Sequence, residues 1–282
     1  QANPAAQDAR LSLALTQLSM GAFSQALASA EQLSQDPRSI ADAASVQTQA
    51  LLRLGDVEQA FAVASVAAGA HPEHAVLRAA FGDVLVARGQ LGEAINAYEA
   101  ALGCGDGRLE TVLACARCSM ESGLYAKAVQ LLEAKQGSMA EMARHDSAGV
   151  ASLWQLLGDA LAAGGLHGRA LEAYERCMAA RPANAQVLCR VAQMQFALGR
   201  DSAAQVSLRE AGAAEPAASQ PCVLAVEQCI AAGQLSQALA HCQRYTSAGY
   251  FAHEIVAAET FLLNALGQSL EAQRLAGFEQ LV

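Results

Sequence analysis

A chain of 282 residues that is 53% hydrophobic but 5% aromatic draws its apolar content mostly from small and aliphatic side chains. Alanine and leucine favour helix, and the β-branched and aromatic runs that build strands are scarce, so an all-α protein is predicted. The formal charge is −9, with 16 arginines, two lysines (Lys127 and Lys135) and no basic cluster, which speaks against the phosphate-neutralising surface of a non-specific nucleic-acid binder.

The opening stretch, QANPAAQDAR, has neither a basic n-region nor an apolar h-region, so no signal peptide is visible. From there one pattern recurs to the end of the chain. Its marker is a glycine, at Gly21, Gly55, Gly89, Gly123, Gly165, Gly199, Gly233 and Gly267, in steps of 34 with one step of 42 between Gly123 and Gly165. Five residues after each stands an alanine: Ala26, Ala60, Ala94, Ala128, Ala170, Ala204, Ala238 and Ala272. Seven residues before stands a small residue, Ala14, Thr48, Gly82, Ala116, Gly158, Ala192 or Thr260, with Val226 the exception.

A helical pattern precedes each glycine, as in AVLRAAFGDVLVARG (75–89), and a second follows, as in QLGEAINAYEAAL (90–102). The glycine sits where a helix C-cap needs a left-handed backbone. The alanine is expected where the second helix crosses the first, since a larger side chain would force the axes apart. Prolines in AHPEH (70–74), ARPAN (180–184) and AEPAA (214–218) stand 17 residues after the glycine and end the second helix; the units ending near 106, 140 and 250 lack one. One such hairpin cannot bury its own apolar face, whereas a stack of eight makes one continuous core.

Taken in order, the tempting motifs reduce to architecture. FAVASVAAGA (61–70) is about half the roughly 20 residues of a membrane span. HPEH (71–74) is not the H-E-x-x-H of a zinc helix and reads as solvated turn residues. GCGDGR (103–108) follows a helix, not a strand, and lacks a Lys-Ser/Thr ending, so it is no phosphate loop. CARC (115–118) has the C-x2-C spacing of a zinc or redox pair, but no second ligand pair exists at matching spacing, and both cysteines fall at inward-facing places. Cys177, Cys222, Cys229 and Cys242 also replace apolar residues of the pattern, as free buried cysteines do. The eight cysteines therefore point to a reducing compartment, read as cytoplasmic. About eight extra residues lie around KQGSMAEMARHDSAGV (135–150), read as a longer loop or an extended helix start with Asp146 or Ser147 as N-cap, or else as a bend between two four-repeat halves or a partner-contact loop. In WQLLGDALAAGGLHGRALEAYERCMAARP (154–182), Gly165 belongs to the ladder, Gly164 has no evident role, and Trp154 is expected in the core. The final unit carries Glu259 and Glu279 where others are apolar, which reads as a solvent-facing terminal cap or as a chain cut from a longer array.

The period and the residues around Trp154 resemble the tetratricopeptide repeat family. Trp154, Leu157 and Gly158 match its W-x2-L-G start, and Ala170, Tyr174 and Pro182 its A-x3-F…P second half, with Tyr for Phe. The resemblance covers essentially the whole chain. It implies an α-solenoid, a right-handed superhelix of about eight helix-turn-helix repeats. Repeats one to four are expected over 7–140, an insertion over 141–150, and repeats five to eight over 151–282, as one continuous solenoid.

It also implies that stacked first helices line a concave groove for a peptide or a partner's helix. Groove-facing places fall thirteen, ten and six residues before each glycine, at Asp42, Gln49, Asp83, Glu110, Arg117, Gln155, Asp159, Gln186, Gln193, Gln220 and Glu227. The Lys/Asn/Arg carboxylate clamp of the family's chaperone-tail binders is absent; Ser45, Gln49, Ala79, Asp83, Leu113 and Arg117 stand there. An acidic, glutamine-rich groove suits a neutral or basic segment. The expected function is a non-enzymatic protein–protein interaction scaffold, with no catalytic constellation, metal or cofactor. The alternative is a substrate-presenting accessory domain of a larger enzyme or assembly machine. RNA reading of the pentatricopeptide kind is disfavoured by the 34-residue period and the charge of −9.

Overall fold

The computed structural model describes residues 4–138, 145–182, 184–268 and 271–272. Among them are fifteen α-helices, one 3-10 helix and no strand. The chain divides into two compact units, Gln1–Met139 and Ala140–Val282. The first holds four hairpins: α1 (Pro4–Ser19) with α2 (Phe23–Leu33), α3 (Ile40–Leu54) with α4 (Val57–Ala70), α5 (Ala75–Ala87) with α6 (Leu91–Gly103), and α7 (Leu109–Glu121) with α8 (Tyr125–Ala134). The second holds α9 (Ser147–Ala163) with α10 (His167–Ala180), α11 (Ala185–Ala197) with α12 (Asp201–Ala214), α13 (Gln220–Ala231) with α14 (Leu235–Ser247), and α15 (His253–Ala265), followed by helical residues 271–272. Within the first unit α3 packs beside both α1 and α5, and α5 beside α7; within the second α13 packs beside α11 and α15. First helices thus stack on first helices, and the protein is an all-α solenoid.

The glycine ladder closes each hairpin by one hydrogen-bonding device. All eight glycines are left-handed, with φ between +71° and +86°. In the fifth hairpin Gly165 N donates to Ala162 O at 3.0 Å and Leu166 N to Leu161 O at 2.9 Å. This pair of bonds is the Schellman motif, which satisfies carbonyls left over at the helix end. It recurs in all eight, the longer-range bond measuring 2.7–2.9 Å each time. Gly164 lies at φ −79°, in helical territory open to any residue, which is why Met20, Arg88 and Leu198 serve equally well there.

Where the terminal proline is missing, two second helices stop on another left-handed glycine. Gly105 (φ 92°) ends α6 and Gly249 (φ 89°) ends α14, with Asp106 N and Tyr250 N bonding back at 3.0 and 3.4 Å. Buried Asp106 then fixes the GCGDGR turn. Its two carboxylate oxygens accept from Arg108 Nε (2.9 Å), Arg108 Nη2 (2.7 Å) and Thr111 Oγ1 (2.7 Å).

The recurrent alanines are buried to 0–2% exposure, as a close helix crossing requires. The small residue before the glycine varies with its partner across the hairpin. A Cβ on Gly82 would meet the Tyr98 ring at 2.6 Å, and one on Gly158 the Tyr174 ring at 2.6 Å. Both tyrosines stand nine residues after the ladder glycine. Where that place holds alanine or leucine, as at Ala64, Leu132 and Leu208, the facing residue is Thr48, Ala116 or Ala192. Between the Gly/Tyr and Ala/Leu pairs the summed volume is nearly unchanged while the two side chains exchange size, and the Thr48/Ala64 pair is smaller.

Three sequence expectations are corrected. Trp154 is half-buried, its ring under the Arg176 guanidinium at 4.7 Å, so its indole caps the surface of the core. Glu259 is not solvent-facing: it is 6% exposed and accepts from Thr246 Oγ1 at 3.2 Å. His74 is no mere turn residue; its Nδ1 accepts from Leu77 N at 3.2 Å and caps α5. Glu279 lies outside the described residues, as do residues 139–144 of the insertion. Asp146 is the N-cap of α9, accepting from Gly149 N at 2.7 Å, and the helix starts ahead of residue 151.

Candidate functional site

The first helices carry the residues marked by their distance from each glycine, and three of the aspartates among them are held by neighbouring side chains. In the first unit, Asp83 is exposed on α5, and its Oδ1 accepts from Tyr98 Oη at 2.7 Å. Although the residue as a whole is exposed, protein close to the carboxylate raises its pKa by desolvation, while the tyrosine hydrogen bond and the charges of Arg108 and Arg53 oppose that rise. Asp42, in the first turn of α3, lies 3.1 Å from His74 Nε2. Because Nδ1 of that ring accepts from the backbone, the proton of the neutral ring sits on Nε2 and is donated to Asp42.

In the second unit, Asp159 on α9 repeats the arrangement: its Oδ1 accepts from Tyr174 Oη at 2.6 Å. Here Arg190 of α11 joins in, its Nε 3.6 Å from Asp159 Oδ1 and its Nη1 donating to Gln193 Oε1 at 3.3 Å. Asp159 and Gln193 are thus brought together through a cation that spacing from the glycine did not select. Arg190 lies three residues before Gln193, one helical turn along, and that i, i+3 relation was the signal available.

The remaining candidates stand apart. Gln49 and Gln155 are half-buried; Glu110, Arg117, Gln186, Gln220 and Glu227 are exposed. Among the described residues, no hydrogen bond or ion pair joins Glu110, Arg117 or Glu227 to another candidate. A second row was missed. Three residues before the glycine, on the same helix face as the place six before it, stand Leu52, Val86, Met120 and Ile230, half-buried or exposed. The face is therefore mixed: carboxylate and amide groups alternate with aliphatic side chains.

Chemical reactivity is low where it looked highest. Cys115 and Cys118 are 0% and 3% exposed. Burial pushes the Cys115 thiol up to about 11 and raises Cys118, Cys177 and Cys229 as well. A protonated buried thiol is a poor nucleophile and a poor metal ligand. Among the described residues, no three His, Cys, Asp or Glu side chains are grouped to hold a metal ion, and no helix is long and apolar enough to cross a membrane.

A family model, the tetratricopeptide repeat, matches residues 151–184. No curated protein matches the chain by sequence. Among solved structures, PilF of Pseudomonas aeruginosa is 17% identical, with 79% of this chain and 97% of that one covered and a TM-score of 0.63. YrrB, described as a TPR protein with an unusual peptide-binding site, is 16% identical over 68% of this chain and 95% of its own, with a TM-score of 0.59. MamA of Desulfovibrio magneticus RS-1 is 18% identical over 62% and 95%, with a TM-score of 0.54. At such identities the likeness is one of fold.

Proposed function

We propose that this chain, a tetratricopeptide-repeat protein by the repeat at 151–184 and by its fold, is a non-enzymatic interaction scaffold. It holds a neutral or basic segment of a partner protein along the faces of its first helices. The observation that carries this reading is the pair of oriented aspartates, Asp83 under Tyr98 and Asp159 under Tyr174. Each phenol fixes one carboxylate oxygen and leaves the other to accept from a partner. Pre-orientation of this kind lowers the ordering cost of association. The aliphatic row at Leu52, Val86, Met120 and Ile230 supplies apolar contact beside the charges, and a peptide-binding site in the fold neighbour YrrB supports the same use. A net charge of −9 sets the reading against nucleic acid. The six buried cysteines support a reducing, cytoplasmic setting.

The test begins with affinity purification of the chain from its native cells and mass spectrometry of what is retained. Binding of the recovered partner is then measured with Asp83→Asn and Asp159→Asn, alone and combined. Asparagine keeps an oxygen for the tyrosine hydroxyl, so folding is preserved while the charge is lost. We expect the double variant to bind about tenfold more weakly, with a shallower salt dependence. An unchanged affinity would remove these aspartates from the interface.

A further inference from the structure

The seam between the sixth and seventh hairpins is underfilled, and the sequence explains why. On α5 the side chain eight residues before the ladder glycine lies against the preceding hairpin, and on α13 those eleven, eight and four residues before it border a space shared with α12. Phe81 of α5 stacks on Phe61 of α4 with ring centroids 5.9 Å apart. At the same distances from the glycine the third hairpin carries Arg78, Phe81 and Leu85, and the fifth Trp154, Leu157 and Leu161. The seventh offers Cys222, Ala225 and Cys229. Three short side chains in register leave a cavity of about 890 Å³, floored by α13 and walled by α12 and α14. That volume falls in the range of about 300–1,000 Å³ typical of small-molecule sites.

The lining has a definite chemistry. Leu208, Pro221 and Ala225 make an apolar floor, while Arg209 reaches in from α12 and Arg244 from α14. Among the described residues Asp201 is the sole carboxylate of the lining, so this wall is net cationic in a chain of charge −9. Arg209 Nε has a long hydrogen bond to the Gln205 carbonyl at 3.4 Å. Among the described residues, neither guanidinium forms an ion pair. His241 is held neutral, its pKa lowered by burial and by Arg244, and it adds a hydrogen-bonding edge with no charge.

We propose that this seam is a binding site for a small amphipathic anion of the medium-chain carboxylate class. The apolar tail lies over Ala225, Cys222 and Leu208, and the carboxylate is met by Arg209 and Arg244. Bidentate guanidinium–carboxylate pairing is the strong form of such contacts. The site is independent of the first-helix faces proposed above for a protein partner.

The full 282-residue chain is titrated calorimetrically with decanoate below its micellar concentration, with 1-decanol as the uncharged control. Saturable one-to-one binding is expected for decanoate, weaker by about tenfold or more for 1-decanol and for Arg209→Gln/Arg244→Gln. Cys222 and Cys104 are the two cysteines not fully buried, so in a Cys104→Ser background maleimide labelling of Cys222 should slow when decanoate is present. Ala225→Leu/Cys229→Leu copies Leu157 and Leu161 of the fifth hairpin. It should abolish binding and raise the urea midpoint, which separates filling from misfolding. No saturable decanoate binding overturns the proposal, as does equal binding of 1-decanol or undiminished binding by the arginine double variant. Saturation by an acidic, leucine-rich decapeptide without decanoate binding overturns it too, and would assign the seam to a partner's segment.

Discussion

Residues 151–184 and 219–250 share one backbone plan. Each has a left-handed glycine (Gly165 at φ 75°, Gly233 at φ 72°) and a fully buried alanine five residues on (Ala170, Ala238). Their interiors differ. The fifth hairpin sets Leu157 and Leu161 against its surroundings and fits Tyr174 into the space vacated at Gly158, all at 0–2% exposure apart from the glycine itself. The seventh puts Ala225, Cys229, Val226 and Cys242 at the corresponding places, and the seam before it stays open. Backbone devices therefore set the repeat, while side-chain volume decides whether a given seam is solid core or cavity.

Removing volume should hurt the filled hairpin far more than the open one. Leu157→Ala, at 1% exposure, is expected to cost about 3 kcal/mol. Cys229→Ala, beside an existing cavity, should cost less than about 1 kcal/mol by the same measure. Urea denaturation of both variants checks the difference, and similar losses would mean that the seventh hairpin is as tightly packed as the fifth. Adding volume is the next largest effect. Gly158→Ala places a Cβ 2.6 Å from the Tyr174 ring and should cost about 2 kcal/mol as overpacking. Adding Tyr174→Leu recreates the Ala116/Leu132 combination of the fourth hairpin and should recover most of the loss. Failure of that rescue would refute volume exchange across the hairpin.

The frame is legible in the sequence because it depends on residues with no substitute. A left-handed cap selects glycine and a close helix crossing selects alanine, so the ladder stands out in the residues themselves at a fixed period. Packing is less legible, because it depends on pairs distant in sequence. Gly82 looks like one more small residue until Tyr98 is seen against it. Glu259 reads as exposed because it breaks an apolar pattern, yet Thr246 of the preceding hairpin shares its burial. The aspartates of the first-helix faces can be placed by register. So can the tyrosines nine residues after the glycine, but not the hydrogen bonds that join the two, nor Arg190, which spacing from the glycine passes over. The open seam is written in Cys222, Ala225 and Cys229, but read one by one they are ordinary small core residues.

If the frame is independent of the filling, the two hairpins should respond alike to its loss. Gly165→Ala and Gly233→Ala each force a left-handed backbone on a residue with a Cβ, at about 1–2 kcal/mol. Gly164→Ala, at helical φ, should change stability by less than about 0.5 kcal/mol. A Gly233→Ala cost well below that of Gly165→Ala would show that packing, not the cap, sets the price of the turn.

The smallest effect concerns a charge. Glu259 occupies the place of Leu157 and Ala225 one hairpin later, and burial raises its pKa above the ordinary 4.5, with Thr246 opposing. A carboxyl whose folded pKa is raised destabilises the fold while ionised. That destabilisation is complete above the folded pKa, shrinks as pH falls through it, and is gone below 4.5. Asp106 has the opposite sign: burial works to raise its pKa, but Arg108 and Thr111 outweigh it and the net shift is downward. Its stabilisation is present above 3.8 and is lost as pH falls through the lowered folded value. Glu259→Gln should therefore raise the thermal midpoint at pH 7, and the gain should vanish by pH 4, where the wild-type carboxyl is itself protonated. A gain that persists at pH 4 would trace the improvement to packing at the seventh seam's neighbour, and would place Glu259 with Ala225 as a fault of volume, with charge playing no part.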